Sequence, residues 1–512
     1  MKYIIAYDLG TGGIKSSLFD EKGNSIASRF MQCDTHYPAP DFREQNPEDW
    51  WNILVHTTKE MLAEANVDKE DIVAAACSGH SLGVVPIGFD GSLLLDHVPV
   101  WSDARATDLA DGLFVSEEEY NNWYMMTGNG FPAGLYSVFK ILWYKKHMPE
   151  IYEKTAKFIG TKDYLNYKLT GVVCTDYSYA SGSGVYDLVN NCYDESWIKR
   201  FDVRADVFPE LRESCEIIGV IRPEVADMLG LSRNTKVAAG GVDNACMAAG
   251  SGCVLNGMSY TSLGTSSWIA VMGDKPVLDI KTKPYVFGHL IKGMYVSSQS
   301  IFSAGNSYRW VRGAICNDLY ENEKAGGENS YKIMDELAAS SPIGANGLIF
   351  TPTLAGGNAL DKSINARGTL SGVDLKHTRA DILRASLEGI CFGLKYALDA
   401  LAVKTPLLED MLIVGGGANS KFWLTLFADI YEKNITESKV GENAGSIGAM
   451  ACAAIGAGLW EDYTPLLEIN KPVRITPRNE ENFKHYRKVF EVYKKIAEFQ
   501  SDIADYRKEL GI

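Results

Sequence analysis

The sequence predicts an α/β protein built from two related halves. Three observations predict it. The stretch "YDLGTGGIKSSLFDEKGN" (Tyr7–Asn24) places a glycine turn between two strand-like runs. A similar unit, "SYTSLGTSSWIAV" (Ser259–Val271), returns in the second half. Strand-like and helix-like periods alternate through 512 residues, a length too great for one ordinary core.

In chain order, Lys2–Tyr7 and Ile14–Asp20 are expected as strands flanking the turn, with "EKGN" turning into "SIASRFMQC". In "NPEDWWNILVHTTKEMLAEANV", Asn46 suits a helix cap and Pro47 a first turn; Trp50, Ile53, Leu54, Met61 and Leu62 recur mostly at helical spacing. "DIVAAACSGH" is an apolar strand that stops at a loop. From Gly160 to Gly250 the chain reads as loop-rich, with "YSYASGSGVYD" an irregular, polar, flexible stretch. "KVAAGGVDNACMAAGSG" gives a strand, a glycine pair, an acid and a small-residue helix. Leu263-Gly264-Thr265 aligns with Leu9-Gly10-Thr11, as a duplicated domain would leave it, so domains are expected at 1–250 and 251–512. Ala380–Leu401 is a long helix, and "DMLIVGGGANSKFWLTLFADI" a strand, three glycines and a helix. "ENAGSIGAMACAAIGAGL" is a helix able to pack close to another backbone, and the tail from Glu480 is a charged amphipathic helix solvated on one face.

The net charge of −15 disfavours nucleic acid as a partner. A small phosphate ligand stays open, because backbone N–H groups and a metal ion can hold one. No run approaches 18 apolar residues, and the apolar stretch in "MKYIIAYDLG" is short for a secretory leader, so neither membrane span nor export is expected. Ten cysteines without a C-x-x-C pair read as reduced, cytoplasmic thiols. Eight histidines without an H-E-x-x-H pattern suggest no structural zinc.

Five groups can carry chemistry. Gly10, Thr11 and Gly12 can turn amides and a hydroxyl onto a phosphate, and Asp8 can hold a hydrated Mg²⁺ bridging phosphates. The alternative is a hairpin whose glycines only make a tight turn. No Walker A pattern occurs. Gly264, Thr265 and Ser266 repeat the cradle, and two such turns suit a polyphosphate. Asp243, after a glycine pair, can accept the proton of a substrate hydroxyl that attacks a γ-phosphate, with Asn244 orienting the substrate; the alternative is a helix N-cap. Gly415, Gly416 and Gly417 let a flat ring or a phosphate lie on the backbone near Asn419, or simply make a tight turn. His80, Ser81, Trp101, Asp103 and Arg105 combine hydroxyl-binding groups with an aromatic plate, as a sugar site requires, although each alone is also an ordinary core or surface residue.

In order along the chain, "DLGTGGIK", "WSDARA", "FKILW", "AAGGVDNA", "SLGTSS" and "GGGANS" resemble the FGGY carbohydrate kinases. "GTLSGVDLKHTRADILRASLE" (Gly368–Glu388) is similar to their C-terminal signature, and "LYSVFKILWYKK" is a near match to the earlier one. The resemblance implies two actin-like (ribonuclease-H-like) ATPase domains with a cleft between them, and ATP and Mg²⁺ as cofactors. It implies transfer of the γ-phosphoryl group of ATP to a sugar or polyol hydroxyl, and a homodimer. It also implies Asp243 as general base, Asp8 at Mg²⁺, Gly10–Thr11 and Gly264–Thr265 at phosphates, and Gly415–Gly417 with Asn419 beside the adenosine. Within the family the chain is similar to xylulose kinases through "TGNGFPAGLYSVFKILWYKKHMPEIY" and "FIGTKDYLNYKLTG". Those kinases commonly carry Gly-Gln-Met-His-Gly where this chain has Gly79-His80-Ser81-Leu82-Gly83, and Leu82 cannot hydrogen-bond a hydroxyl. The Arg-Glu-Thr loop of glycerol kinases is absent. The expected substrate is a ketose, a pentulose such as xylulose, with another sugar or polyol as the alternative. Two rivals of other classes are an actin-like chaperone-type ATPase, whose hydrolysis sugars would leave unchanged, and a non-catalytic sugar sensor, for which a basic helix-turn-helix is missing.

Overall fold

The structure, a computed structural model, describes residues 1–358 and 360–512, with every side chain among them except that of Glu442. The elements that place the site are, in chain order, β1 (Tyr3–Gly10), β2 (Gly13–Asp20), β3 (Ser25–Gln32), α1 (Pro47–Ala65), β4 (Ile72–Gly79), β5 (Ile217–Val220), β6 (Lys236–Val242), α2 (Asp243–Gly250), β7 (Ser259–Leu263), β8 (Ser267–Gly273), α3 (Gly305–Ile315), α4 (Arg379–Ala402), β9 (Asp410–Val414), α5 (Lys421–Tyr431), β10 (Asn434–Glu437), α6 (Ala444–Gly456), β11 (Arg474–Thr476) and α7 (Glu480–Glu509). No helix among the described residues is long and apolar enough to cross a membrane.

The chain forms two compact units: Met1–Asn256 with Met272–Ser297 and Asn443–Asn470, and Gly257–Val271 with Ser298–Glu442 and Lys471–Ile512. Neither is a single run, so they differ from a division at 250/251. The late helix α6 belongs to the first unit because its small residues let it lie directly on α2. A Cβ on Gly250 would stand 1.8 Å from the carbonyl oxygen of Ala444, and one on Gly448 would stand 2.0 Å from that of Cys246.

In the first unit six strands form one sheet in the order β5-β6-β4-β1-β2-β3. β1 pairs antiparallel with β2 and parallel with β4, and β6 runs parallel to β4. The apolar stripe of α1 explains its placement: Trp50, Leu54 and Met61 share a core with Ile5, Tyr7 and Leu9 of β1. Asn46 caps α1 by accepting from the Glu48 amide, as its position suggested.

β6 carries a bulge. Ala238 pairs with Ala76, but Gly241 pairs with Ser78, so β6 holds one residue more than β4 over this step. Gly240 makes the bulge possible. Its φ is +70°, and a Cβ there would stand 2.0 Å from the carbonyl oxygen of Cys77.

In the second unit β8, β7, β9, β10 and β11 are neighbours in that order, with β7 antiparallel to β8 and parallel to β9. This repeats the β2-β1-β4 arrangement and gives the recurring Leu-Gly-Thr a structural meaning.

The stretch expected to be flexible around "YSYASGSGVYD" is instead buried, from Ser178 through Ser183, and opens with a short helix, Tyr177–Ala180. Its polar groups tolerate burial because they are paired. Asp176 accepts from the amides of Ser178 and Tyr179 and from the Ser214 hydroxyl.

Gly240→Ala is expected to lower the free energy of unfolding of the first unit by about 2–4 kcal/mol through backbone strain and overlap. Gly313→Ala, at an unobstructed position inside α3, is expected to raise stability by up to about 1 kcal/mol. Chemical denaturation of both variants checks the pair; equal effects would contradict the bulge.

Candidate active site

The register of the first sheet brings the candidate residues together. Leu9 pairs with Gly79, and Gly79 pairs with Val242. The next residues on the three strands, Gly10, His80 and Asp243, therefore emerge side by side at the C-terminal end of the parallel strands. Loops leaving this end of an α/β sheet commonly build sites.

Thr11 and Gly12 form the tip of the β1–β2 hairpin, closed by the pair Gly10–Gly13. Two side chains anchor it. Gln45 Nε2 donates to the Thr11 carbonyl at 2.8 Å, and Trp101 Nε1 donates to Thr11 Oγ1 at 2.9 Å. Trp101, expected as a sugar plate, thus touches the turn expected to hold phosphate. It remains 39% exposed. Asp8 is half-buried and faces Lys15 across the strand pair. Lys15 in turn donates to Asn443 Oδ1 just before α6. A Cβ on Gly445 would stand 2.4 Å from Asp8 Oδ2, so the first turn of α6 lies against this carboxylate. Burial raises the Asp8 pKa, and Lys15 partly counters it.

Asp243 is half-buried and is the first residue of α2, with Val242 in the cap position. The capping alternative does not hold. Its Oδ1 accepts from the Asn244 amide at 2.8 Å and from Asn244 Nδ2 at 3.1 Å. Burial pushes its pKa up to about 7, against the pull of the Asn244 N–H and with the negative charge of Asp8 adding to the rise. A buried network fixes the strand end behind it. The Val242 amide donates to Ser178 Oγ at 3.0 Å, and Ser178 Oγ donates to Asp176. Lys162 pairs with Asp176 at 3.0 Å and with Asp163 at 2.5 Å, and donates to the Ala239 carbonyl at 3.0 Å.

His80 and Ser81 are buried. Among the described residues neither ring nitrogen of His80 has a hydrogen-bond partner, and the ring meets Trp50 edge to face at 5.7 Å. Burial, helped by the charge of Lys140, pushes the His80 pKa down to about 3, so the ring is neutral and offers one donor and one acceptor. Asp103 and Arg105 spend their charges on each other. Arg105 binds Asp103 through Nε and Nη2, both at 2.8 Å, and reaches Glu44 at 2.5 Å. Asp103 is fully buried and also accepts from the Arg43 amide at 2.7 Å.

In the second unit Ser262 pairs with Val414, so Gly264 and Gly415 leave one sheet end together. Gly264, Thr265 and Ser266 are exposed. The carbonyls of Gly264 and Thr265 accept from the amides of Gly305 and Asn306 at the start of α3, both at 3.0 Å. The glycine run has two explanations. Gly415, at φ +96°, and Gly417 lie against Leu263, with Cβ positions 2.7 Å from its carbonyl oxygen and 2.3 Å from its Cδ2. Gly416 has open space around it. Asn419 is exposed.

The model for the N-terminal domain of the FGGY carbohydrate kinases matches residues 3–250, and that for their C-terminal domain matches residues 259–457. The chain belongs to the FGGY family of carbohydrate kinases. This FGGY kinase is 31% identical to a xylulose kinase of Bacillus subtilis (strain 168), over 96% of each chain. It is 27% identical to a gluconokinase of Bacillus licheniformis, over 95% of this chain and 94% of that one. A solved structure of a ligand-bound xylulose kinase from Lactobacillus acidophilus shares the fold, with a TM-score of 0.88 and 24% identity over 97% of this chain and 98% of that one. The expected two-domain, actin-like fold is thereby established, and with it a sugar kinase of a family that uses ATP as phosphate donor.

Sequence reasoning missed three supports of this kinase's site. Lys140, inside "FKILW", is buried and donates to the carbonyls of Leu82 at 3.0 Å and Val100 at 2.7 Å. The Lys162–Asp176–Ser178 network was hidden in a polar stretch that resembled a loop. Gly445 was visible only as one of many small residues in α6.

A carboxyl must be ionised to accept a proton, the task that the sequence reading expects of Asp243. With its pKa raised to about 7, kcat/KM for phosphorylation is expected to rise with pH through about 7 and level off above it. A flat profile between pH 5.5 and 8.5, once buffer and substrate ionisation are corrected, would contradict the environment described for Asp243.

Proposed function

We propose that this kinase transfers the γ-phosphoryl group of ATP to a hydroxyl of a ketose, a pentulose such as xylulose, with Asp243 as general base. One observation carries the reading. The row Leu9–Gly79–Val242 delivers the Gly10–Gly12 turn, His80 and Asp243 to one sheet end. Asp243, at a pKa of about 7, is suited to general-base work near neutral pH. It takes the hydroxyl proton as that oxygen bonds to the γ-phosphorus; the bond to the β,γ-bridging oxygen breaks and ADP leaves.

In the first unit the amides of Gly10, Thr11 and Gly12 and the Thr11 hydroxyl form a cradle for phosphate, and in the second unit the turn Gly264-Thr265-Ser266 forms a similar one. Gly416, flanked by Gly415 and Gly417 and with Asn419 nearby, takes the adenosine. His80, Ser81, Trp101 and Asn244 meet the sugar, while Asp103 and Arg105 shape the loop that carries Trp101. The donor set fits Mg²⁺: Asp8 offers hard oxygens whose ionised form is under-compensated by burial, close enough to Asp243 for the two charges to interact. When bound there, the ion would neutralise phosphate charge.

The B. subtilis relative, named a xylulose kinase, supports the pentulose reading. A second reading, another sugar or a sugar acid, is favoured by Leu82, which brings no polar group to the position where xylulose kinases commonly carry His, and by the B. licheniformis relative named a gluconokinase.

A coupled ADP-release screen over pentuloses, hexuloses, gluconate and polyols tests the reading, with the highest kcat/KM expected for D-xylulose. A preference for gluconate would favour the second reading, and ATP hydrolysis unaffected by any sugar would refute both. Asp243→Asn is expected to lower kcat by about a thousandfold while ATP affinity stays within about twofold of the parent; retained turnover would remove Asp243 as the base. Gly416→Ala is expected to leave the melting temperature unchanged and to weaken ATP binding by about tenfold, about 1.4 kcal/mol, as measured by calorimetry.

A further inference from the structure

The second unit contains a small enclosed cavity away from its glycine turns. It measures about 20 Å³, room for one ion or one water. Thr353 and Asp361 line it from the chain after Thr351, Gly393 and Tyr396 line it from α4, and Tyr493 lines it from α7.

The lining presents oxygen atoms without partners. Among the described residues Thr353 Oγ1 is buried and has no hydrogen-bond partner. Tyr493 is 4% exposed, and neither its hydroxyl nor that of Tyr396 makes a hydrogen bond among the described residues. The charge of Asp361 and the Tyr396 phenol both act on the Tyr493 phenol, so the three groups lie within electrostatic reach of one another. Asp361 Oδ2 accepts from the Asn358 amide at 2.9 Å. Its Oδ1 has no partner, and no Lys, Arg or His among the described residues pairs with this carboxylate. Burial raises the Asp361 pKa, and the Asn358 N–H counters the rise only in part. Gly393 keeps the cavity open. It stands inside α4, where a glycine weakens the helix, and a Cβ there would lie 3.2 Å from the Tyr493 hydroxyl oxygen.

The chemistry of the lining selects the occupant. A carboxylate with no cationic neighbour repels an anion, and so small a space admits no organic molecule. A water would satisfy the hydroxyls but leave the charge of Asp361 uncompensated. Hydroxyls and a carboxylate are hard oxygen donors, suited to a hard cation. Mg²⁺ keeps several waters, for which there is no room, and Ca²⁺ sites draw on several charged ligands where this one has a single carboxylate. One negative charge with three neutral oxygens matches a cation of one positive charge.

We infer that this cavity is a monovalent-cation site, with Thr353, Asp361, Tyr396 and Tyr493 as its oxygen ligands. The ion ties Thr353 and Asp361 to α4 and α7, and so stabilises the second unit.

The test uses the full-length chain without nucleotide and compares potassium, sodium and tetramethylammonium chlorides at equal ionic strength. Potassium or sodium is expected to raise the melting temperature, in a saturable way, by about 3 °C over tetramethylammonium. Asp361→Asn is expected to abolish that rise and to melt no lower than the parent in tetramethylammonium chloride, because it removes an uncompensated buried charge. Tyr493→Phe keeps the ring and is expected to raise the half-saturating cation concentration at least fivefold. Thallium(I), added as the nitrate, should show a broadened NMR signal with the parent and a sharp one with Asp361→Asn. Circular dichroism, unchanged in both variants, separates lost binding from lost fold. Equal melting in all three salts would mean a cavity that holds only water and would overturn the inference. So would a rise that survives Asp361→Asn, a rise given by magnesium or calcium chloride alone, or an Asp361→Asn variant that loses stability equally in every salt.

Discussion

One extra residue in β6 is the constraint on which the site of the first unit depends. Side chains alternate faces along a strand, so adding a residue turns every later side chain over and moves the strand end by one position. Gly240 absorbs that residue at φ +70°, in a place where the Cys77 carbonyl leaves no room for a Cβ. As a result Val242 falls in line with Gly79 and Leu9, and Asp243 starts α2 level with Gly10 and His80. The buried ion pairs beneath it serve the same end. A lysine as buried as Lys162 is costly unless its partners are fixed. With Asp163, Asp176 and the Ala239 carbonyl in place, it pins the bulge from below, and Ser178 ties that cluster to the Val242 amide.

The second unit solves a similar problem with different residues. β7 and β9 end level, as β1 and β4 do, but the crowding lies in the turn after β9. Gly415 and Gly417 let that turn close over Leu263, the residue immediately before Gly264. The position of the glycine run thus follows from the strand end it covers. Gly416 lies outside this packing, with open space where a Cβ would stand.

Much of this was legible in the sequence because it is local. The hairpin at Gly10–Gly13, the Asn46 cap, the strand that ends at Val242 and the small-residue character of α6 each depend on a few neighbouring residues. The parts that were not legible depend on distant ones. Asp8 and Gly445 lie close together across almost the whole chain, and that approach adds to the packing on α2 that holds α6 in the first unit. Asp103 and Arg105 looked like groups free to bind hydroxyls, and nothing nearby in sequence announced that Glu44 and the Arg43 amide would complete a closed cluster. The serine-rich segment after Asp176 looked solvated because its polarity was visible and its partners, Lys162 and Ser214, were not.

The loop that follows β4 is held by its backbone. Leu82 sits at φ +60°, a conformation that costs a residue with a Cβ about 1–2 kcal/mol. Lys140 offsets that cost by donating to the Leu82 carbonyl and, from the same ammonium group, to the Val100 carbonyl. Both bonds go to backbone atoms. The loop holding His80 and the loop holding Trp101 are therefore locked together whichever side chain stands at position 82. The Leu82 side chain itself is buried in an apolar cluster with Val84, Val138 and Phe139, so a polar residue there would need a partner that this packing does not offer. Asp243, at the start of α2, depends on a different network, the one that ties the Val242 amide to Ser178 and Asp176.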